Sequence, residues 1–178
     1  NSLYGAFQFD DRNLLSKEWV ANLDSFNKNV KLGAFQNRPI LLWTFAVNNQ
    51  FDPINTFGFH LANLILHVLV TILVFVILIR TQYFLSKKCD CAKTENGELP
   101  TNRIKGSLIF PLAVALLFAI HPLNTDSVTY ISSRSSLLAT FFYLLTLYLF
   151  IETLVPARCL KQRVLLGLFT IPGIYFAV

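Results

Sequence analysis

Polar and apolar positions are not mixed evenly along this chain. Apolar residues gather in four blocks, at residues 57–79, 104–120, 135–151 and 164–178, and the stretches between them are polar. Strict alternation is absent, so strands are not expected, and the blocks predict helices. At a rise of about 1.5 Å per residue the first block reaches roughly 34 Å, enough to cross a hydrocarbon core of about 30 Å. It is expected to be a transmembrane helix. The second and third blocks are shorter than the usual ~20 residues, and pairing around a short connection suits them to a membrane hairpin. The fourth contains Pro172 and Gly173.

Residues 1–56 lack a comparable run and are expected to form a loop outside the membrane. Within it SKEWVANL and RPILLWTFAVNN carry apolar residues at roughly helical spacing, which suits short amphipathic helices lying on the membrane surface. The expected fold is all-α, a polytopic bundle of transmembrane helices with four spans. The chain has no methionine and no basic segment followed by an apolar run at its start, so it reads as a piece of a larger polytopic protein.

Composition supports a lipid environment. Of 178 residues, 54% are hydrophobic and only 14% charged, against about 25% charged in soluble domains, and the mean hydropathy is +0.52. The net charge of +5 then reports topology, and nucleic acid is not an expected partner. The connection 80–103 and the two residues Ile104 and Lys105 hold six basic residues, Arg80, Lys87, Lys88, Lys93, Arg103 and Lys105, and residues 152–163 hold three. Between the middle blocks there is only Arg134. By the positive-inside rule the connections 80–103 and 152–163 are cytoplasmic. Residues 1–56 and the break IHPLNTDSVTYISSR share the opposite, periplasmic or lumenal, face. Cys89, Cys91 and Cys159 all fall on the cytoplasmic side, where thiols stay reduced. The CDC motif could hold a soft metal, but such a site wants about four ligands and no others are spaced to join it.

The informative polar residues gather on the outer face. Asp10 and Asp11, in FQFDDRNLL, are adjacent carboxylates, of which one can act as a general base while the other orients it or binds a divalent cation; a solvated acidic turn is the plainer alternative. His60, Asn63 and His67 fall at i, i+3 and i+7 of an otherwise apolar helix, and polar groups there face a bundle interior or a wet cavity. Such a stripe is also explained by interhelical hydrogen bonding. Pro122 ends the second helix and leaves His121 at its outer end. Asp126 and Arg134 follow among Ser and Thr residues. Arg134 could grip a phosphate through its guanidinium fork, or snorkel toward headgroups with Asp126 as partner.

Together, FDDR at Phe9–Arg12, RP at Arg38 and Pro39, GFHLANLILH at Gly58–His67 and ALLFAIHPLNTDSVTYISSRSSLLATFFYLLTLYLF at Ala115–Phe150 resemble the membrane half of the transmembrane and tetratricopeptide-repeat family. These are O-mannosyltransferases of the multispanning glycosyltransferase C architecture, with bacterial relatives. The resemblance runs from Phe9 to about Ile151. It implies inverting transfer of a sugar from a polyprenyl phosphate to a protein Ser or Thr hydroxyl, with no certain cofactor. It implies further that Asp10 or Asp11 deprotonates the acceptor and that Arg134 holds the departing phosphate, with His121, Asp126, His60 and Arg38 as further substrate-binding candidates. Asp126, a shorter side chain with the same charge, stands where relatives commonly have Glu. The implied location is a bacterial inner membrane, or the endoplasmic reticulum if the source is eukaryotic. A noncatalytic membrane scaffold with the same fold is the alternative from another class.

Overall fold

The computed structural model describes residues 22–31, 39–51, 56–96 and 108–154. All regular structure among them is helical: α1 (Leu23–Lys31), α2 (Pro39–Phe51), α3 (Thr56–Asn96), α4 (Ile109–Ile120), α5 (Thr125–Thr129) and α6 (Arg134–Leu154), with short 3-10 turns at Pro122–Asn124 and Ile131–Ser133. The acidic pair, Arg38 and the expected fourth span at 164–178 lie outside the described residues, as does most of SKEWVANL.

Local chemistry accounts for the helix ends. The Asn22 side chain caps α1 by accepting from the Ser25 amide at 2.7 Å, which satisfies one of the N–H groups that a helix start leaves unpaired. Pro39 opens α2, where its missing N–H costs nothing. Helix α3 is longer than the apolar block that predicted it. The stretch read as a connection from Arg80 onward continues as helix to Asn96, 41 residues in all, because RTQYFLSKKCDCAKTEN contains neither Gly nor Pro.

Among the described residues two helical segments are long and apolar enough to cross a membrane, Thr56–Ser86 and Ile131–Leu154, or three segments if Ile109–Ala119 and Pro122–Thr129 together make one broken span. The protein is membrane-associated. Helix α4 has only 12 residues, too few to span by itself. The break falls where it must, since Pro122 denies the helix a donor and drives His121 out of helical conformation, to φ −64 and ψ 128.

The described residues divide into two compact units. The first takes in residues up to Val68 and His121–Thr140. Its core is Phe26, Leu41, Leu42, Phe45, Ala46, Phe59, Ile131, Leu137 and Leu138, with α1 and α2 packed together and four polar side chains buried among them: His60, Asn63, His67 and Arg134. The second takes in Leu69–Ile120 and the residues from Phe141 onward. It buries Val70, Ile77 and Ala115, and it exposes Ile109, Leu116, Leu117 and Ile120 of α4, as lipid-facing helices do. There the Arg80 Nε lies 2.8 Å from Oε1 of the buried Glu152. That contact is close but poorly aligned, an ion pair and not a hydrogen bond.

Candidate functional site

Arg134 is the first residue of α6, and it is fully buried, at 0% exposure. An arginine in an apolar helix is costly and persists where its surroundings satisfy it. Its Nε donates to Asn63 Oδ1 at 2.9 Å and its Nη2 to the Phe59 carbonyl at 2.9 Å. Nη1 donates to Asn48 Oδ1 at 3.1 Å and to the Thr44 carbonyl at 3.3 Å. These bonds use four of the five N–H donors that a guanidinium carries. The Phe45 ring centroid lies 4.4 Å from the guanidinium carbon and that of Phe59 5.7 Å away, positions in which aromatic rings attract a cation.

One property of this shell is chemically informative. Every acceptor is neutral, and no carboxylate among the described residues pairs with Arg134. The cation is solvated by the protein but not neutralised. Arg134 also lines a pocket of about 210 Å³ with Trp43, Thr44, Val47, Asn48, Ala62 and Leu66. Its walls are mostly apolar, and Thr44, Asn48 and Arg134 are its polar members.

Around this centre α3 holds the chain of the break that runs from His121 to Ser133. The Asn63 amide group donates to the Tyr130 carbonyl at 3.2 Å while its oxygen serves Arg134, so both ends of one amide are engaged and its orientation is fixed. His60 Nδ1 lies 3.2 Å from the Val128 carbonyl. A carbonyl can only accept, so Nδ1 is the donor of this bond. Nε2 is buried and has no hydrogen-bond partner among the described residues. His67, last of the stripe, is also buried.

The other sequence candidates sit differently. His121 and Asp126 are exposed. The His121 ring accepts from the Leu123 amide at 3.3 Å and so caps the turn that follows it, and the Thr125 hydroxyl donates to the Pro122 carbonyl beside it. Of the two readings of Arg134, the one in which it snorkels to the surface with Asp126 as partner is overturned. The side chain has no exposure, and its donors go to the helices α2 and α3 instead. Asn48, Thr44, Phe45 and Phe59 are site residues that the sequence reading did not single out. The signal for Asn48 was the amide pair Asn48–Asn49 at the end of an apolar helix. The Thr44 and Phe59 contributions come from backbone carbonyls, for which a sequence holds no signal. Among the described residues no cluster of three or more His, Cys, Asp or Glu could hold a metal ion.

Three comparisons bear on ancestry. The chain is 29% identical over 133 residues, 74% of its length, to the protein O-mannosyl-transferase Tmtc3 of Drosophila melanogaster. It is 30% identical over 134 residues, 75% of its length, to the protein O-mannosyl-transferase F38B6.6 of Caenorhabditis elegans, and 33% identical over 108 residues, 61% of its length, to human TMTC1, which bears the same description. The chain belongs to the TMTC-like family. Those matches cover 14%, 16% and 10% of the respective relatives, so the chain spans only a small part of the TMTC proteins it resembles. No model of a known protein family matches it, and no solved structure does. All three TMTC relatives are animal proteins; the bacterial origin considered from the sequence has no support among them.

Proposed function

We propose that this chain is part of a membrane glycosyltransferase, one that transfers a sugar, mannose by analogy with its relatives' names, from a polyprenyl phosphate to Ser or Thr hydroxyls of proteins with inversion. The observation that carries the reading is the buried, unneutralised Arg134 beside a mostly apolar pocket. A cation held by neutral acceptors in a low-dielectric setting attracts an anion strongly, and a lipid-linked donor brings a phosphate and an apolar tail together. In the reaction a carboxylate of the Asp10–Asp11 pair takes the proton from the acceptor hydroxyl. The freed oxygen attacks the anomeric carbon from the face opposite the phosphate. The bond from that carbon to the phosphate oxygen breaks, and the phosphate leaves with the electron pair. Positive charge near the leaving oxygens stabilises the transition state more than the ground state.

The full network around Arg134 also favours a second reading. Four hydrogen bonds from one guanidinium tie together α2, α3 and α6, which is what a noncatalytic scaffold would need. Transfer of radiolabelled mannose from polyprenyl phosphate to an acceptor peptide by the purified full-length protein separates the two. Transfer that is lost in the Asp10→Asn, Asp11→Asn double variant supports the enzyme. A wild-type protein that binds no donor and transfers nothing supports the scaffold.

A further inference from the structure

Helix α3 runs without a break past the end of the segment able to span a membrane. Its apolar run gives way between Ile79, just before Arg80, and Ser86, the end of the segment able to span. The helix nevertheless runs on to Asn96. Cys89 lies on this extension, 3 residues beyond Ser86 and 10 beyond Ile79 by their numbers, and Cys91 follows two residues later. At about 1.5 Å per residue Cys89 is therefore roughly 5–15 Å outside the hydrocarbon edge along the helix, a depth that overlaps the headgroup layer. Half-exposed Tyr83 marks the boundary, since aromatic rings with a polar tip settle at the interface. Lys87 and Lys88 come next in the chain, and juxtamembrane lysines are drawn to anionic headgroups.

We propose that Cys89 and Cys91 are S-acylated at the cytoplasmic membrane surface, with long-chain fatty acyl groups carried in from a soluble acyl thioester. The inference rests on the charge asymmetry that puts this end of α3 in the cytoplasm, and not on the sugar-transfer reading. The step balances without any redox change. The cysteine thiolate attacks the acyl carbonyl, the bond from that carbon to the carrier sulfur breaks, and the carrier departs as a thiol with the proton that the cysteine gave up. A long acyl chain is long enough to reach from either position back into the hydrocarbon. One chain holds only marginally, so a pair of chains beside a basic cluster suits stable attachment. The consequence is mechanical: the exit of α3 is pinned to the surface and the polar extension is kept from sliding inward or outward.

The test uses the full-length protein made in animal cells fed an alkynyl fatty acid, with the label detected by click coupling after purification. The wild type is expected to carry label that neutral hydroxylamine removes, as a thioester requires. The Cys89→Ser, Cys91→Ser double variant is expected to lose most of it, and Cys159→Ser to keep most of it. Mass analysis of the wild-type peptide containing Cys89 and Cys91 gives an answer independent of any variant, with acyl mass on both residues expected. An unlabelled wild type, label that survives in the double variant, or a peptide found only unmodified each overturns the proposal.

Discussion

Asn63 Oδ1 accepts from Arg134 Nε at 2.9 Å, so that a neutral amide on α3 is the direct partner of the cation that opens α6. The same amide donates to the Tyr130 carbonyl, and a single side chain thus satisfies two buried groups. Asn63→Ala removes both partners. Each orphaned group costs about 1–3 kcal/mol, which predicts a loss of roughly 2–6 kcal/mol for the variant. Asn63→Asp retains an acceptor for Arg134 and adds a countercharge while giving up only the donor to Tyr130, and it is expected to lose less. Thermal unfolding of the full-length protein in detergent measures both, and an Ala variant as stable as wild type would show that the amide contributes little.

The Arg80–Glu152 pair predicts a different order of effects. Glu152 is 2% exposed, whereas the Arg80 side chain is 42% exposed, so solvent screens the pair from one side only. Removing the arginine leaves a carboxylate buried without its cation. Arg80→Ala is accordingly expected to destabilise by about 1–3 kcal/mol, below the 3–5 of fully buried pairs because of that screening. Replacing both residues with leucine is expected to cost less than Arg80→Ala alone. A double-mutant cycle by thermal unfolding checks the order, and the reverse order would mean that the ion pair is not what holds Glu152.

Lipid exposure along α3 can be tested by insertion. Leu61, in the second turn, and Ile72, near the middle of Thr56–Ser86, are 37% and 50% exposed. An arginine near an end can extend its charge to the interface, while one in the middle costs about 2.5–3.5 kcal/mol on insertion scales. Ile72→Arg should therefore reduce membrane insertion far more than Leu61→Arg. Equal insertion of the two variants would count against α3 as a span.

The fold was legible where hydropathy alone decides it. Residues 57–79 and 135–151 are covered by α3 and α6 because an apolar run in lipid must satisfy its backbone internally, and a helix does so. Boundaries were less legible, since hydropathy marks where lipid ends and not where helix ends. The extension of α3 past Arg80 follows from the lack of Gly or Pro between Arg80 and Asn96. The polar stripe of His60 and Asn63 was visible from its spacing, and both residues bond to main-chain carbonyls of the break, those of Val128 and Tyr130. That Arg134 turns inward was not visible. Its direction is decided by acceptors on α2 and α3 that lie 71 to 90 residues away in the chain, and two of them are main-chain carbonyls.

Arg134 also bears the sharpest test of the proposed chemistry. If its charge stabilises the departing phosphate, Arg134→Ala should weaken donor binding and slow transfer further, because charge on the leaving oxygen grows toward the transition state. Arg134→Lys keeps a positive charge but lacks the fork that reaches Asn48, Asn63 and the two carbonyls together. It should fold less stably than wild type yet recover part of the transfer rate that Ala loses. A purely structural arginine predicts a different pattern: transfer in the two variants would fall in proportion to the folded fraction, and donor affinity per folded molecule would not change. Asp10→Asn and Asp11→Asn lack basicity but not size, and at least one of them should transfer slowly while binding donor normally. Measuring donor binding and single-turnover transfer on the folded fraction of each variant distinguishes these patterns. Unchanged donor affinity in Arg134→Ala would remove Arg134 from the phosphate site and leave it as the clamp of α2, α3 and α6.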